Sequence, residues 1–433
     1  MRAAVLELFK QGGSARNVLT LMTGTVIAQG LTIAAAPILT RIYTPEYFGV
    51  LALYVSIVGI LSVVICWRYE LAIVLPEENR DAANLLIMSI IINVGMCLLI
   101  LLVVIFFAKT IAVWFGIPEL ASWFWLLPIS LFLLGLYQTF NYWSTRSKNF
   151  KRLSISRVNQ SATGVGCQLG LGVFTNLGAG GLLGGYLFGQ FVGTSVLIGQ
   201  VLREECKTIM TAINRGIMLQ QANKYRKYPI YGSWPSFLDN LTISMPVLFF
   251  AKFFDSAIVG FYSLGIRLLQ MPLSAIGASV SQVFFQRIAE EYNRTGTIHH
   301  LVEKAFKRLA LISLPILCIM FFAPSLFELI FGAEWRVAGV YAQIISPAMA
   351  IRFVASPLSI VFSALNRQEL STIWKVIAVV TTPVFLFTSL SFDSPLYSII
   401  FLSINDILLY LLYLIMIFKV SGVCVKDLLR GLF

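Results

Sequence analysis

The sequence has little charge for its size. Only 12% of its 433 residues are charged, whereas 58% are hydrophobic, and a soluble globular domain usually has about 25% charged residues. The apolar residues come in runs of about twenty, the length at which a helix rising 1.5 Å per residue crosses a hydrocarbon layer of ~30 Å. The composition therefore excludes an ordinary soluble fold and predicts an all-α, polytopic membrane protein.

Motifs for catalysis and for metal binding are also absent. The chain has no HExxH sequence, no Walker loop and no dinucleotide fingerprint, and no segment between apolar runs is long enough to fold as a catalytic domain. Its six cysteines are scattered without a CxxC pair. The two histidines, His299 and His300, lie in a polar segment that we interpret as a solvated loop. We predict no disulfide, no metal, no cofactor and no enzymatic activity.

The apolar runs form two sets of six. The first set lies near residues 18–39, 47–66, 82–107, 122–140, 158–175 and 180–200, and the second near 235–252, 257–281, 305–323, 339–363, 371–391 and 396–418. The sequence therefore predicts about twelve transmembrane helices. It predicts an N-terminal lobe over residues 1–200, a cytoplasmic linker over 201–233 and a C-terminal lobe over 234–433.

Lysine and arginine collect in alternate segments between the apolar runs, and such an excess marks the cytoplasmic side. The basic segments are 141–157, 201–233 and 282–304, whereas the segment around Arg336 has little positive charge. We therefore expect the three basic segments and both termini to be cytoplasmic. This asymmetry accounts for the net charge of +12, so no nucleic-acid partner is predicted, and contact with anionic membrane lipid is expected.

A short pattern occurs once in each half of the chain. Arg41-Ile-Tyr43 followed by Gly49 matches Lys252-Phe-Phe254 followed by Gly260, with the cation, aromatic residue and glycine at the same separations. Six spans separate the two copies. An even number of spans makes the repeats parallel, and such a duplication predicts two lobes around a central cavity.

Two further patterns concern packing. Glycines at four-residue spacing predict that spans five and six pack closely, because small-xxx-small faces let helix backbones touch. These glycines are Gly166 and Gly170 in span five and Gly181, Gly185, Gly189 and Gly193 in span six. At the cytoplasmic end of span two, Arg68 and Glu70 are two residues apart. On one helix such residues do not face each other, so we expect them to reach different neighbours or the membrane interface.

Charged residues also lie deep within the predicted spans. Arg267 is about eleven residues, or roughly 16 Å, into span eight, and Arg352 lies at a similar depth in span ten. Deep arginines nearly always face an aqueous cavity or a partner, and a guanidinium binds phosphate oxygens bidentately. The alternatives are an anionic ligand or structural ion pairs with Asp239 or Asp406. Either aspartate could instead bind a coupling proton or sodium ion.

Six short segments distributed along the chain form a set with a known counterpart. They are Ser14-Ala-Arg-Asn17, Leu39-Thr-Arg-Ile-Tyr-Thr-Pro-Glu-Tyr-Phe-Gly49, Arg68-Tyr-Glu-Leu-Ala-Ile-Val-Leu-Pro76, Gly185-Tyr-Leu-Phe-Gly-Gln190, Val259-Gly-Phe-Tyr-Ser263 and Met271-Pro-Leu273. Together they resemble the polysaccharide biosynthesis family of O-antigen and capsule flippases. The resemblance runs along nearly the whole chain and implies the fold of the multidrug/oligosaccharidyl-lipid/polysaccharide exporter superfamily, in which two six-helix lobes form a V.

The resemblance implies a flippase that moves an undecaprenyl-diphosphate-linked oligosaccharide from the cytoplasmic to the periplasmic leaflet of a bacterial inner membrane by alternating access. Arg41, Lys252, Arg267 and Arg352 are the positions that fit the cation-lined cavity of such a protein. A polysaccharide polymerase and other assembly proteins would be its partners.

Three alternatives remain open from the sequence. An ion-coupled exporter of cationic drugs would line its cavity with carboxylates, whereas two of the deep charges here are arginines. A membrane glycan polymerase or ligase would need a long external loop with catalytic residues. A non-transport subunit of the polysaccharide assembly machinery would need neither.

Overall fold

The structure is a computed structural model that describes residues 14–117, 120–295, 297–365 and 367–423. Cys424 and the two chain ends that we expect to be cytoplasmic lie outside these residues. Twelve helices of at least 17 residues occur in the described ranges. They are α1 (Ser14–Ile42), α2 (Pro45–Leu61), α3 (Asn79–Trp114), α4 (Leu127–Arg146), α5 (Phe150–Phe174), α6 (Ala179–Ala212), α7 (Ser233–Phe253), α8 (Ser256–Thr295), α9 (His299–Phe321), α10 (Arg336–Leu358), α11 (Gln368–Ser389) and α12 (Pro395–Ser421).

Each predicted span falls on one of these helices, so the all-α prediction is confirmed. Seven helical segments of the described chain are long and apolar enough to cross a membrane. An eighth results if α9 and the following helix Ala323–Phe331, bent by 65°, form one span. α2 and the first part of α8 are shorter apolar helices. Twelve membrane crossings therefore stay a prediction.

The chain divides into two compact units, Met1–Asn240 and Leu241–Phe433. In the first unit, α5 packs against both α1 and α6, and α3 packs against α4. A buried apolar cluster joins the ends of α3, α4 and α6, and it includes Leu86, Trp143, Leu197 and Val201. This cluster packs together the helix ends that adjoin the basic segments 141–157 and 201–233.

In the second unit, α10 is the central helix. It packs against α8, α9 and α12, and α12 also packs against α11. Its residues Ala338, Ala342, Ala355 and Leu358 are completely buried. Three of these four residues are alanines, whose small side chains let the neighbouring helices approach α10 closely.

The segment predicted as a polar linker is mostly helical. α6 continues to Ala212, and a separate helix, Arg215–Lys224, which we call the linker helix, follows it. The Asn214 side chain caps the linker helix by accepting hydrogen bonds from the Gly216 and Ile217 amides. Asn84 of α3 anchors the junction, donating to the Ala212 carbonyl at 2.8 Å and accepting from the Asn214 amide at 2.9 Å.

The chain between α2 and α3 departs from the prediction. α2 ends at Leu61, five residues before the predicted end of span two, and turns lead to a short helix over Tyr69–Ala72. Arg68 has a left-handed backbone with φ 63°. The expectation that Arg68 and Glu70 reach different neighbours is wrong, because this conformation folds them together, with 3.9 Å between Nη1 and Oε1.

Candidate functional site

The two copies of the repeated pattern have the same local structure. Arg41 lies in the last turn of α1 and Lys252 in the last turn of α7, and each of these helices contains an internal proline. The following helix begins within four residues in both cases, and its fifth residue is a buried glycine, Gly49 or Gly260. Arg41 is exposed and Lys252 is half-buried. A basic helix end therefore precedes a tight helix-to-helix connection in each unit.

Arg267 lies on α8 in the second unit and its side chain is exposed. Within the described residues it has neither an ion pair nor a hydrogen bond. A guanidinium has five N–H donors, and those of Arg267 have no hydrogen-bond acceptor among the described residues. Asp239, its suggested partner, is half-buried on α7 at the end of the first unit.

Arg352 lies on α10 and has an aromatic neighbour. Its guanidinium carbon is 5.7 Å from the centroid of the Tyr410 ring of α12, a cation–π contact. Asp406, one turn earlier on α12, interacts electrostatically with Arg352 and hydrogen-bonds with Asn405. No described carboxylate lies within the 4.0 Å of an ion pair with Arg352. The arginine is thus held by a ring and by a more distant charge.

Further aromatic rings extend from Tyr410. Trp374 of α11 stacks on Tyr413 with 4.5 Å between ring centroids and lies 5.3 Å from Tyr410. The Trp374 indole N–H donates to the Leu409 carbonyl at 2.8 Å, which fixes the ring. We call Arg352, Asp406, Tyr410, Trp374 and Tyr413 the Arg352 cluster. The sequence reasoning found its two charged members and missed its aromatic ones, which lie on two helices and share no local motif.

A polar seam between α1 and α5 was also missed. Arg157 Nη1 donates to Thr25 Oγ1 at 2.7 Å. One turn further along α5, Ser161 Oγ donates to the Ala28 carbonyl at 2.6 Å and lies 3.0 Å from the Thr32 hydroxyl. The charge pattern placed Arg157 in a cytoplasmic loop, but α5 begins at Phe150. Arg157 therefore belongs to a helix–helix contact.

The glycine pattern describes α6 correctly and α5 incorrectly. A methyl group at Gly189 of α6 would lie 2.7 Å from the Gln160 carbonyl oxygen and 2.9 Å from Gly164 Cα. Gly166 and Gly170 have open space where a side chain would be. The prediction that these two glycines form the α5 face is wrong, because Gly164 lies at the contact.

Comparison with known proteins identifies the class. The model of a family described as "Polysaccharide biosynthesis protein" matches residues 38–340, more than half of the chain. The chain therefore belongs to this family. The chain is also similar to the lipopolysaccharide biosynthesis protein WzxC of Escherichia coli K12. The two are 20% identical over 352 residues, which are 80% of this chain and 69% of that protein.

Solved structures show the fold. An inward-closed structure of the lipid II flippase MurJ superposes with a TM-score of 0.73 at 13% identity, covering 96% of this chain and 90% of MurJ. An inward-facing multidrug resistance MATE family transporter of the MOP superfamily superposes with a TM-score of 0.71 at 15% identity, covering 93% and 95%. The chain therefore has the fold of these transporters.

Proposed function

We propose that the protein is a flippase that moves an undecaprenyl-diphosphate-linked oligosaccharide from the cytoplasmic to the periplasmic leaflet of a bacterial inner membrane by alternating access. Family membership and the fold support membrane transport in polysaccharide biosynthesis. The observation that carries the proposal is the pair Arg267 and Arg352, which lie within helices of an apolar unit without an ion pair among the described residues.

The two arginines support this proposal because a charged side chain within a membrane helix costs free energy. An arginine at membrane depth costs about 2.5–3.5 kcal/mol on insertion scales. A structural role would offset that cost with a carboxylate in contact. For Arg267 and Arg352, no described carboxylate is in contact to offset the cost. A diphosphate that accepts bidentate hydrogen bonds would supply the missing negative charge. Lys252, in the same unit as the two arginines, and Arg41, its counterpart in the first unit, are the further cations that we propose for substrate binding.

The Arg352 cluster also suits the sugar part of the substrate. Trp374, Tyr410 and Tyr413 place their rings together beside a guanidinium. Aromatic rings offer apolar faces to the C–H groups of a sugar, and the guanidinium offers hydrogen bonds to its hydroxyls. A diphosphate next to a sugar would find both kinds of contact within this one cluster.

The negative charge of the proposed substrate determines which energy source can drive its transport. An inside-negative potential favours outward movement of negative charge by about 2.3 kcal/mol per elementary charge per 100 mV. Transport of an anionic lipid can therefore proceed without ATP. Asp406 and Asp239 are the candidates for coupling to a proton or sodium ion, and Asp406 interacts electrostatically with Arg352 from beyond ion-pair distance. A polysaccharide polymerase would take up the translocated unit in the periplasm.

The test is a deletion strain together with reconstituted protein. Loss of the gene should leave lipid-linked oligosaccharide on the cytoplasmic face, and proteoliposomes containing the full chain should move a fluorescent polyprenyl-diphosphate oligosaccharide between leaflets. Accumulation of unpolymerised units on the periplasmic face would indicate a polymerase instead. Liposomes without the protein are the control, and flipping no faster in proteoliposomes than in this control would overturn the assignment.

A further inference from the structure

The turn that follows α2 has an uncommon backbone. Trp67 and Arg68 are adjacent and both left-handed, with φ of 49° and 63°. Such conformations are rare for bulky residues, cost roughly 1–3 kcal/mol each and persist where the surrounding structure imposes them. Their effect is to direct Glu70, on the next helical turn, inward. Glu70 is only 2% exposed.

The polar atoms around Glu70 are incompletely paired. Its Oε1 lies 3.9 Å from Arg68 Nη1, too far for a hydrogen bond. Glu70 Oε2 and Arg68 Nε are both buried without a hydrogen-bond partner. A buried carboxylate oxygen without a donor costs free energy, and protonation lowers that cost by removing the buried charge. The site is thus built for a carboxyl group that carries a proton.

The surrounding charges agree with this geometry. Burial raises the pKa of Glu70 to about 7, and its own backbone amide and Arg68 oppose that rise only in part. The other titratable groups that interact with Glu70 are Cys66, on the same turn, and Tyr142 of α4. Neither supplies a positive charge. The short helix also packs against α3 and the turn Tyr228–Gly232, and no charge from either acts on Glu70 within the described residues.

The same turn holds the linker helix. Tyr69, next to Glu70, donates from its hydroxyl to the Ala222 carbonyl at 3.1 Å. Beyond the short helix, Arg146 of α4 donates to the carbonyls of Pro76 and Glu77, the latter at 2.8 Å. All these contacts lie within the first unit. Movement of Glu70 would therefore be transmitted first through Tyr69 to the linker helix.

We propose that Glu70 is a proton-binding site whose occupancy controls the position of the linker helix. In the seated form the linker helix packs against the rest of the first unit, and in the released form it does not. With the proton bound, Glu70 stays buried and the Tyr69–Ala222 bond holds the linker helix. Loss of the proton leaves a buried negative charge that Arg68 compensates only in part, which drives Glu70 toward water and draws Tyr69 away. This device requires only the first unit and does not depend on the identity of the transported substrate.

The sign of the pH effect follows. An exposed glutamate has a pKa near 4.5, whereas that of buried Glu70 is about 7. The seated form is therefore most favoured below about 4.5, loses stability as the pH rises through this interval and changes no further above about 7. Across the interval the ratio of seated to released linker helix should fall on the order of a hundredfold.

Two measurements on the full chain in lipid nanodiscs test the proposal without substrate. Infrared difference spectra should show a protonated carboxyl band that titrates near pH 7 and is absent from Glu70→Gln. Hydrogen exchange of residues 217–225, corrected for intrinsic pH dependence, should rise with pH in the wild type and stay low in Glu70→Gln. The control is Glu369→Gln, which removes a carboxylate with a side chain 55% exposed and should behave as wild type.

A second variant keeps Glu70 and serves if Glu70→Gln does not fold. Arg68→Asn retains a residue that tolerates the left-handed backbone and removes the positive charge, so the carboxyl band should titrate at higher pH. A Glu70-dependent band that titrates below pH 5.5, an unshifted band in Arg68→Asn, or pH-dependent exchange that persists in Glu70→Gln would overturn the proposal. Because no substrate is present, failure of the flippase assignment would leave these results unchanged.

Discussion

Replacing Gly189 with alanine tests the closest helix contact of the first unit. The new methyl carbon would lie 2.7 Å from the Gln160 carbonyl oxygen and 2.9 Å from Gly164 Cα, both backbone atoms of α5. Ordinary contact begins at 3.4 Å, so the two helices must separate by about 0.5–0.7 Å. Neither obstructing atom can rotate away.

Overpacking of this kind usually costs 1–3 kcal/mol, and backbone on the opposing side places Gly189→Ala in the upper part of that range. We expect a loss of about 2–3 kcal/mol in the free energy of unfolding. Separation would also loosen the neighbouring contacts of Gly185 and Gly193 with α5.

The matched control is Gly166→Ala on α5, where a methyl group meets open space. Its stability should equal that of the wild type or exceed it slightly, since alanine favours helix over glycine by up to about 1 kcal/mol. Thermal unfolding of detergent-purified protein, followed by size-exclusion fluorescence after heating, compares the two variants. Equal melting temperatures for Gly189→Ala and Gly166→Ala would refute the α5–α6 geometry.

Three further predictions concern other parts of the chain. Arg152 is buried and pairs with Glu205 at 2.7 Å. Arg152→Ala should lower the free energy of unfolding by about 2–3 kcal/mol, less than for a fully buried pair because the Glu205 side chain is 23% exposed. An unchanged melting temperature would refute this. Lys224→Cys, at an exposed position of the linker helix, should react only with cytoplasmic thiol reagents in a Cys-free background, and labelling from the periplasm would reverse the orientation. Trp374→Ala should weaken oligosaccharide binding while leaving binding of a sugar-free polyprenyl diphosphate unchanged, as calorimetry can measure, and equal weakening of both would exclude a sugar-stacking role.

The helices could be predicted because membrane burial leaves a strong signal. In a bilayer every backbone polar group must be satisfied within the segment, so uninterrupted apolar runs become helices. Even α5, which is rich in polar residues, was found, because its second half from Gly164 to Phe174 is apolar and glycine-rich. The repeated cation and glycine also marked real helix boundaries, since Arg41 and Lys252 both lie in last turns.

The end of α2, the α5–α6 contact, the aromatic part of the Arg352 cluster and the burial of Glu70 could not be predicted, because they depend on contacts that no local pattern encodes. α2 ends at Leu61 without a proline or glycine in the following seven residues, so hydropathy extended it. Glycine spacing gave a face of α6 but could not choose its partner on α5, because Gly164 and Gly166 differ only in helical phase. The stacking of Trp374 on Tyr413 joins residues 39 positions apart. The burial of Glu70 depends on a left-handed turn that bulky residues rarely adopt.

The central claim is that Arg267 and Arg352 bind the diphosphate of a lipid-linked substrate. The most direct test measures binding and leaflet exchange of a fluorescent polyprenyl-diphosphate oligosaccharide in proteoliposomes of the Arg267→Ala, Arg352→Ala double variant. The control is Arg367→Ala, which removes an arginine with a side chain 63% exposed. The account predicts loss of both activities in a folded double variant, partial recovery when both positions are lysine, and no effect in the control. Wild-type binding and exchange by the double variant at equal protein level would contradict it.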